Sequence, residues 1–218
     1  MKKSFITLLV LFTVLFTSNA FAYNKTLDGK LGTSYVSDPE KFGWQLNFAY
    51  LTELDPFFAL GFEPGIFWAN WDRKVGTQRV GGTVDADLKA DTNAYMVPVL
   101  ADAQIRLPNL QSKLNVLPYV TFGLGYSFMM LKYSTPRYTN ASSESVPAES
   151  KTKFFSGLTW QLMLGMAYDP GMSSKIRFLA EVGYRYAKLK KGTLEVDMSG
   201  LVLNVGIRYP LGSTASSN

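Results

Sequence analysis

The chain has 218 residues, 47% of them hydrophobic and 14% aromatic, with a formal charge of +5, no cysteine and no histidine. That length suits one domain, the missing cysteines exclude a disulfide framework, and the missing histidines exclude Ser-His and His-metal chemistry. So small a charge does not argue for a nucleic-acid partner.

The first residues, Met1-Lys2-Lys3-Ser4, are short and positive, and an apolar run from Phe5 to Phe16 follows. Ala20-Phe21-Ala22 fits the small-x-small cleavage pattern, so residues 1–22 are expected to be a cleaved secretory signal peptide. The run is shorter than the roughly 20 residues a spanning helix needs. Loss of Lys2 and Lys3 takes the formal charge to +3. No later run is long and apolar enough for a transmembrane helix.

From Tyr23 onward the pattern has period two, the mark of strands with two unlike faces. A first strand is expected over Gly29 to Val36, with weak alternation, then a turn at Ser37-Asp38-Pro39-Glu40. In the second, Lys41 to Leu51, Phe42, Trp44, Leu46, Phe48 and Tyr50 share one face. Asp55-Pro56 signals a short turn. The third runs from Phe57 to Ala69 and sets Phe58, Leu60, Phe62, Ile66 and Trp68 against Glu63 and two glycines. Pro64 removes a ladder hydrogen bond there, and a bulge is expected nearby. Residues 70–92 read as a long polar loop, or one with strand extensions at its base.

The fourth strand, Asn93 to Leu107, opposes Tyr95, Val97, Val99, Ala101, Ala103 and Ile105 to Leu100, Asp102, Gln104 and Arg106. A connection runs from Pro108 to Asn115. The fifth, Val116 to Tyr133, puts Phe122, Leu124, Tyr126 and Phe128 against Thr121, Gly123, Gly125 and Ser127. Residues 134–152 read as a second long loop. The sixth, Lys153 to Tyr168, sets Phe154, Leu158, Trp160, Leu162, Leu164 and Met166 against Thr159, Gln161 and Gly165. After Asp169-Pro170-Gly171 comes the clearest strand, Ile176 to Lys188. Ile176, Phe178, Ala180, Val182, Tyr184 and Tyr186 alternate with Arg177, Leu179, Glu181, Gly183, Arg185 and Ala187. The eighth runs from Thr193 to Tyr209, and 210–218 is a short polar tail, placed in the periplasm.

Eight strands with alternating short and long connections predict an all-β fold: an eight-stranded antiparallel up-and-down transmembrane β-barrel with a polar interior, over residues 23–209. Its short turns would face the periplasm and its long loops, 70–92 and 134–152, the outside. Aromatic belts are expected at both interfaces: Trp44, Trp68, Tyr95, Phe128, Phe154 and Tyr186 at the outer rim, and Tyr50, Phe58, Tyr168, Phe178 and Tyr209 at the inner one. Trp160 falls between them. A soluble barrel with an apolar interior obeys the same period. It would turn Phe122, Leu124 and Leu162 inward and Asp102, Glu181 and Arg185 outward.

Leu117-Pro118-Tyr119-Val120-Thr121-Phe122-Gly123-Leu124-Gly125-Tyr126, with the closing Val205-Gly206-Ile207-Arg208-Tyr209, resembles the small outer-membrane β-barrel family that includes the OmpA transmembrane domain and OmpX. That resemblance implies an outer-membrane location, lipid and lipopolysaccharide as surroundings, and assembly by the barrel-assembly machinery. Relatives end in an aromatic residue that this machinery reads; here nine residues follow Tyr209. The same scaffold carries lipid A acylases, deacylases and outer-membrane proteases, and those use histidine.

An eight-stranded barrel is just wide enough for side chains to fill it, and charges inside must pair. A lumenal ion-pair network is therefore expected from Glu63, Asp102, Arg106, Arg177, Glu181, Arg185 and Arg208, joined by Lys30, with Glu181 and Arg185 near its centre. Inward glycines would make room for the arginines. The network either plugs the barrel or gates a narrow ion path. No cofactor or metal is expected. Asp85, Asp87 and Asp91 lack the glycine and terminal glutamate of a calcium loop, and Gly123-x-Gly125 lacks the helix of a phosphate cradle. Basic residues crowd the long loops. They are either ordinary solvated charges or, for Arg73, Lys74, Lys132, Arg137, Lys190 and Lys191, contacts for lipopolysaccharide phosphate. The function expected is structural or surface-binding through the loops, without catalysis. A porin-like channel and a lipid A-modifying enzyme are the alternatives.

Overall fold

The computed structural model describes residues 24–37, 39–80, 84–109, 111, 115–139, 145–171 and 175–211. The expected signal peptide and most of the tail lie outside them. Eleven strands occur: β1 (Lys25–Val36), β2 (Lys41–Glu53), β3 (Phe58–Val80), β4 (Val84–Arg106), β5 (Val116–Thr135), β6 (Tyr138–Thr139), β7 (Ser145–Val146), β8 (Glu149–Tyr168), β9 (Arg177–Lys191), β10 (Leu194–Asp197) and β11 (Gly200–Pro210). Eight of them close an antiparallel ring in the order β9-β11-β1-β2-β3-β4-β5-β8, with β8 returning to β9. β10 extends the β9 edge, and β6 pairs with β7 above the wall.

Burial decides which face is greasy. Phe122 and Leu162 are each 46% exposed, whereas Glu181 is 3% and Arg185 1% exposed. The apolar face points outward along every stave, as hydrocarbon surroundings require and a water-facing wall would not tolerate. Closing the ring also leaves no long unpaired strand edge, which lipid would penalise.

The turns follow local chemistry. Asp55 Oδ1 accepts from the backbone N–H groups of Phe57 and Phe58, both at 2.7 Å, which reverses the chain within four residues. Gly192 takes φ +61° between β9 and β10, a backbone conformation glycine adopts without steric cost. Both chain ends of the ring and residues 54–57, 107–109, 115 and 169–171 lie at one end, here the turn end. The long hairpins rise from the other, the loop end.

Three expectations change. Residues 70–92 are mostly strand: the extensions allowed for at the base of the loop run on as a β3–β4 hairpin to Val80 and Val84. Beyond the hydrocarbon no lipid enforces an apolar outward face, so the sequence loses the alternation that marks a stave. The register is the same on either side of Pro64, and the shift lies between Lys74 and Gly76. A missing N–H deletes a hydrogen bond without inserting a residue. The last stave is broken after Asp197. There Ser199 Oγ accepts from the Ala187 N–H at 2.9 Å and Ser199 N–H donates to Asp197 Oδ1 at 2.9 Å, while Met198 N–H still donates to the Ala187 carbonyl at 2.9 Å, so side chains replace part of the local ladder and the register continues.

Candidate functional site: the lumen and its loop end

Inward positions of the ring converge on a belt of charge. Four basic residues, Lys30, Arg106, Arg185 and Arg208, face four acids, Asp28, Glu63, Asp102 and Glu181, and none is more than 3% exposed. Lys30 is the hub. Its Nζ lies 2.6 Å from Glu63 Oε2 and 3.0 Å from Glu181 Oε1. Neutral groups finish the cage: Tyr119 Oη donates to Glu181 Oε1 at 2.9 Å, Asn204 Nδ2 to Glu181 Oε2 at 3.1 Å, and Gln161 Nε2 to Glu63 Oε1 at 3.2 Å.

Toward the turn end two arginines are held separately. Arg208 makes a two-pronged contact with Asp28 at 2.8 and 2.7 Å. Its guanidinium lies 5.0 Å from the centroid of the Tyr119 ring. Arg106 pairs with Glu53 and donates to Gln104 Oε1 at 2.8 Å. Two buried charges stand apart. Among the described residues Arg185 reaches Gln161 Oε1, at 3.3 and 3.4 Å, and Asp102, whose carboxyl group meets that of Glu63, accepts from no nitrogen or hydroxyl donor.

Several expected roles shift. Arg177 is not in the network; it opens β9 at the turn-end rim, is 29% exposed and pairs with Asp169 at 3.4 Å. Glu181 is held by Lys30, whereas Arg185 forms no ion pair among the described residues and rests on Gln161. The inward glycines accommodate rings, amides and a carboxylate rather than arginines. A methyl on Gly165 would fall 2.4 Å from the Tyr119 ring, and one on Gly123 would fall 2.5 Å from Asp102 Oδ1. Asp28, Glu53, Tyr119, Gln161 and Asn204 were missed. Asp28 was recoverable from Thr26, Asp28 and Lys30, which carry the inward phase upstream across Gly29.

Toward the loop end the lumen turns apolar. Val36, Phe67, Met96, Met129, Leu189 and Met198 pack together, each 1% exposed or less. This layer closes the barrel above the charged belt. Over it opens a cup of about 740 Å³ whose floor includes Trp71, Leu131 and Phe155. A second cavity, about 710 Å³, opens at the turn end beside Glu53, Arg106 and Arg177.

On the outside, Trp44, Trp68, Tyr95, Met130 and Phe154 stand side by side in one row across five staves. Phe128 lies one outward step nearer the turn end. At the turn end Leu27 stands between Tyr50 and Tyr209, Phe178 faces Tyr168 and Phe58 faces Ile105. Trp160, between the two rims, stacks on Tyr186 with centroids 5.7 Å apart.

The basic loop residues divide. Lys190 is 2.9 Å from Glu195, and that hydrogen bond holds its ammonium above the usual lysine pKa. Lys151 is raised in the same way by Glu149. Lys132, Arg137 and Lys191 are exposed, Lys74 is engaged, and the side chain of Arg73 lies outside the described ones. So do those of Asp85 and Asp87. Asp91 accepts from Asn70 Nδ2 at 2.7 Å. Among the described residues no group of acids, histidines or cysteines is arranged to hold a metal.

No curated protein matches the chain. Its fold is similar to a major outer membrane protein from Thermus thermophilus, at 17% identity over 85% of this chain and 99% of that one, with a TM-score of 0.50. It is similar to OprG from Pseudomonas aeruginosa at 16% identity over 88% and 97%, TM-score 0.50, and to Neisserial surface protein A at 13% over 85% and 95%, TM-score 0.48. At such identities the likeness is one of fold. The outer membrane protein beta-barrel domain matches residues 7–209. A closed ring of eight staves, hydrocarbon-facing on the outside, and that match over most of its length make this chain a member of the outer membrane protein beta-barrel family.

Proposed function

We propose that this outer-membrane barrel is a closed, non-enzymatic one, and that its work is structural or surface-binding, done at the loop end. The observation that carries the reading is the apolar layer of Phe67, Met96, Met129, Leu189 and Met198 stacked on the ion-paired belt. An ion leaving water would meet thioethers and rings, which supply no replacement for its hydration. The β3–β4 hairpin and the described residues 134–139 and 145–152 rise beyond this seal and offer the surface for binding. Lipopolysaccharide phosphate is the natural neighbour of the exposed Lys132, Arg137 and Lys191. Tyr209 is the aromatic offered to the assembly machinery.

Single-channel recording on reconstituted protein tests the reading. Silent bilayers are expected. Reproducible steps that change with Glu181→Gln or Arg185→Gln would replace it with the second reading, a narrow channel gated by its charges, which Arg185 and Asp102 favour because neither forms an ion pair among the described residues. Catalysis on lipid A has no histidine to work with; incubation with labelled lipid A is expected to give no turnover.

A further inference from the structure

The cup at the loop end is more than an opening. Its volume, about 740 Å³, lies in the range of small-molecule sites, which run from roughly 300 to 1,000 Å³. Its floor is shut by the apolar layer, so it is a blind pocket. Trp71 and Leu131 are each 8% exposed and Phe155 5%, and they present rings and branched carbon to whatever enters.

The charge of the cup is uneven. Period two turns Lys153 inward with Phe155 and Thr159, and across the β5–β8 pair it stands opposite Leu131. Its Nζ lies 5.6 Å from the centroid of the Tyr133 ring. It forms no ion pair among the described residues. The cup is also lined by Glu40, Asp72, Glu195 and Lys74; Glu195 is engaged by Lys190, Lys74 is engaged, and none of the three acids forms an ion pair with Lys153 among the described residues. Lys153 is thus a half-buried ammonium of the cup, steadied by a ring, above an aromatic and aliphatic floor. An ammonium among apolar groups is best satisfied by an anion that brings its own apolar body.

Resting on the closed-barrel reading, we propose that the cup binds a small apolar carboxylate, its head group on Lys153 Nζ and its body over Trp71 and Phe155. Lys153 sets the preference for an anion. The aromatic floor sets affinity without regard to charge.

The test uses the full barrel in phosphatidylcholine nanodiscs, with empty discs subtracted. Three probes of one shape are titrated calorimetrically: 4-tert-butylbenzoate, 4-tert-butylbenzamide and 4-tert-butylbenzylammonium. Saturable one-to-one binding of the benzoate is expected, about tenfold tighter than the amide, as one charge-assisted hydrogen bond would give. Lys153→Gln should erase that preference and Lys153→Arg should keep it. Trp71→Leu should weaken benzoate and amide alike. The assignment is overturned by no binding above empty discs, by the ammonium binding as well as the benzoate, or by a preference that survives Lys153→Gln. Conductance recorded on the same preparation separates the two ideas: steps sink the closed barrel whichever probe binds, whereas silent bilayers with no probe bound sink only the carboxylate site.

Discussion

Lys30 and Glu63 meet inside the barrel at 2.6 Å, 33 residues apart in the chain. Each is 3% exposed or less, so neither has water to fall back on. Lys30→Met would strand Glu63 and Glu181 without their cation and is expected to cost about 3–5 kcal/mol. Urea midpoints for folding into lipid vesicles measure it. Adding Glu63→Gln and Glu181→Gln should restore most of the loss. A midpoint unmoved by Lys30→Met alone would mean that the belt is hydrated.

Asp102 calls for the opposite change. It is a buried carboxyl group set against that of Glu63, and no nitrogen or hydroxyl donor among the described residues reaches its oxygens. Asp102→Asn removes the repulsion and keeps the shape, so it should raise stability by about 1 kcal/mol or more. A lower urea midpoint for this variant would show that Asp102 has a cationic partner in the membrane-embedded protein.

The depth of the bilayer can be read with arginine. Leu162→Arg, at a lipid-facing position midway along β8, should cost about 2–4 kcal/mol, and Phe154→Arg, in the loop-end aromatic row, only about 0–1 kcal/mol. Equal costs at the two positions would misplace the hydrocarbon.

Gly165 tests packing inside the wall. A methyl there would lie 2.4 Å from the Tyr119 ring and 2.8 Å from its hydroxyl, the group that donates to Glu181. Gly165→Val is expected to destabilise by about 1–3 kcal/mol, and a Tyr119→Leu background should absorb much of that. Additive losses in the double variant would argue against the contact.

The staves were legible because each crosses hydrocarbon, and lipid enforces alternation on every outward residue. Phe122, Leu162 and Val182 all announce it. Where that pressure ends the signal ends too. The β3–β4 hairpin beyond Trp71 reads as polar loop, since no lipid there enforces an apolar outward face. β1 was cut short at Gly29 because Gly29, Gly32 and Thr33 blur the pattern, and Asp28 was lost with the cut. Inside the lumen the sequence tells which residues point inward but not who meets whom. Lys30 is the hub only because ring closure brings β1, β3 and β9 around one axis. The apolar layer was hidden for a related reason: Phe67, Met96 and Met129 sit at inward phase, where single apolar residues among glycines and amides look like exceptions until the staves are assembled.

The seam between β1 and β11 has a topological corollary. Eleven residue pairs join the first stave to the last, and the Leu211 N–H donates to the Lys25 carbonyl at 2.7 Å. Beginning and end are therefore near neighbours on the same rim, and a brief linker would bridge them. A circular permutant opened between Val80 and Val84 would retain every stave and every pairing, with its fresh termini out in water at the tip of a hairpin.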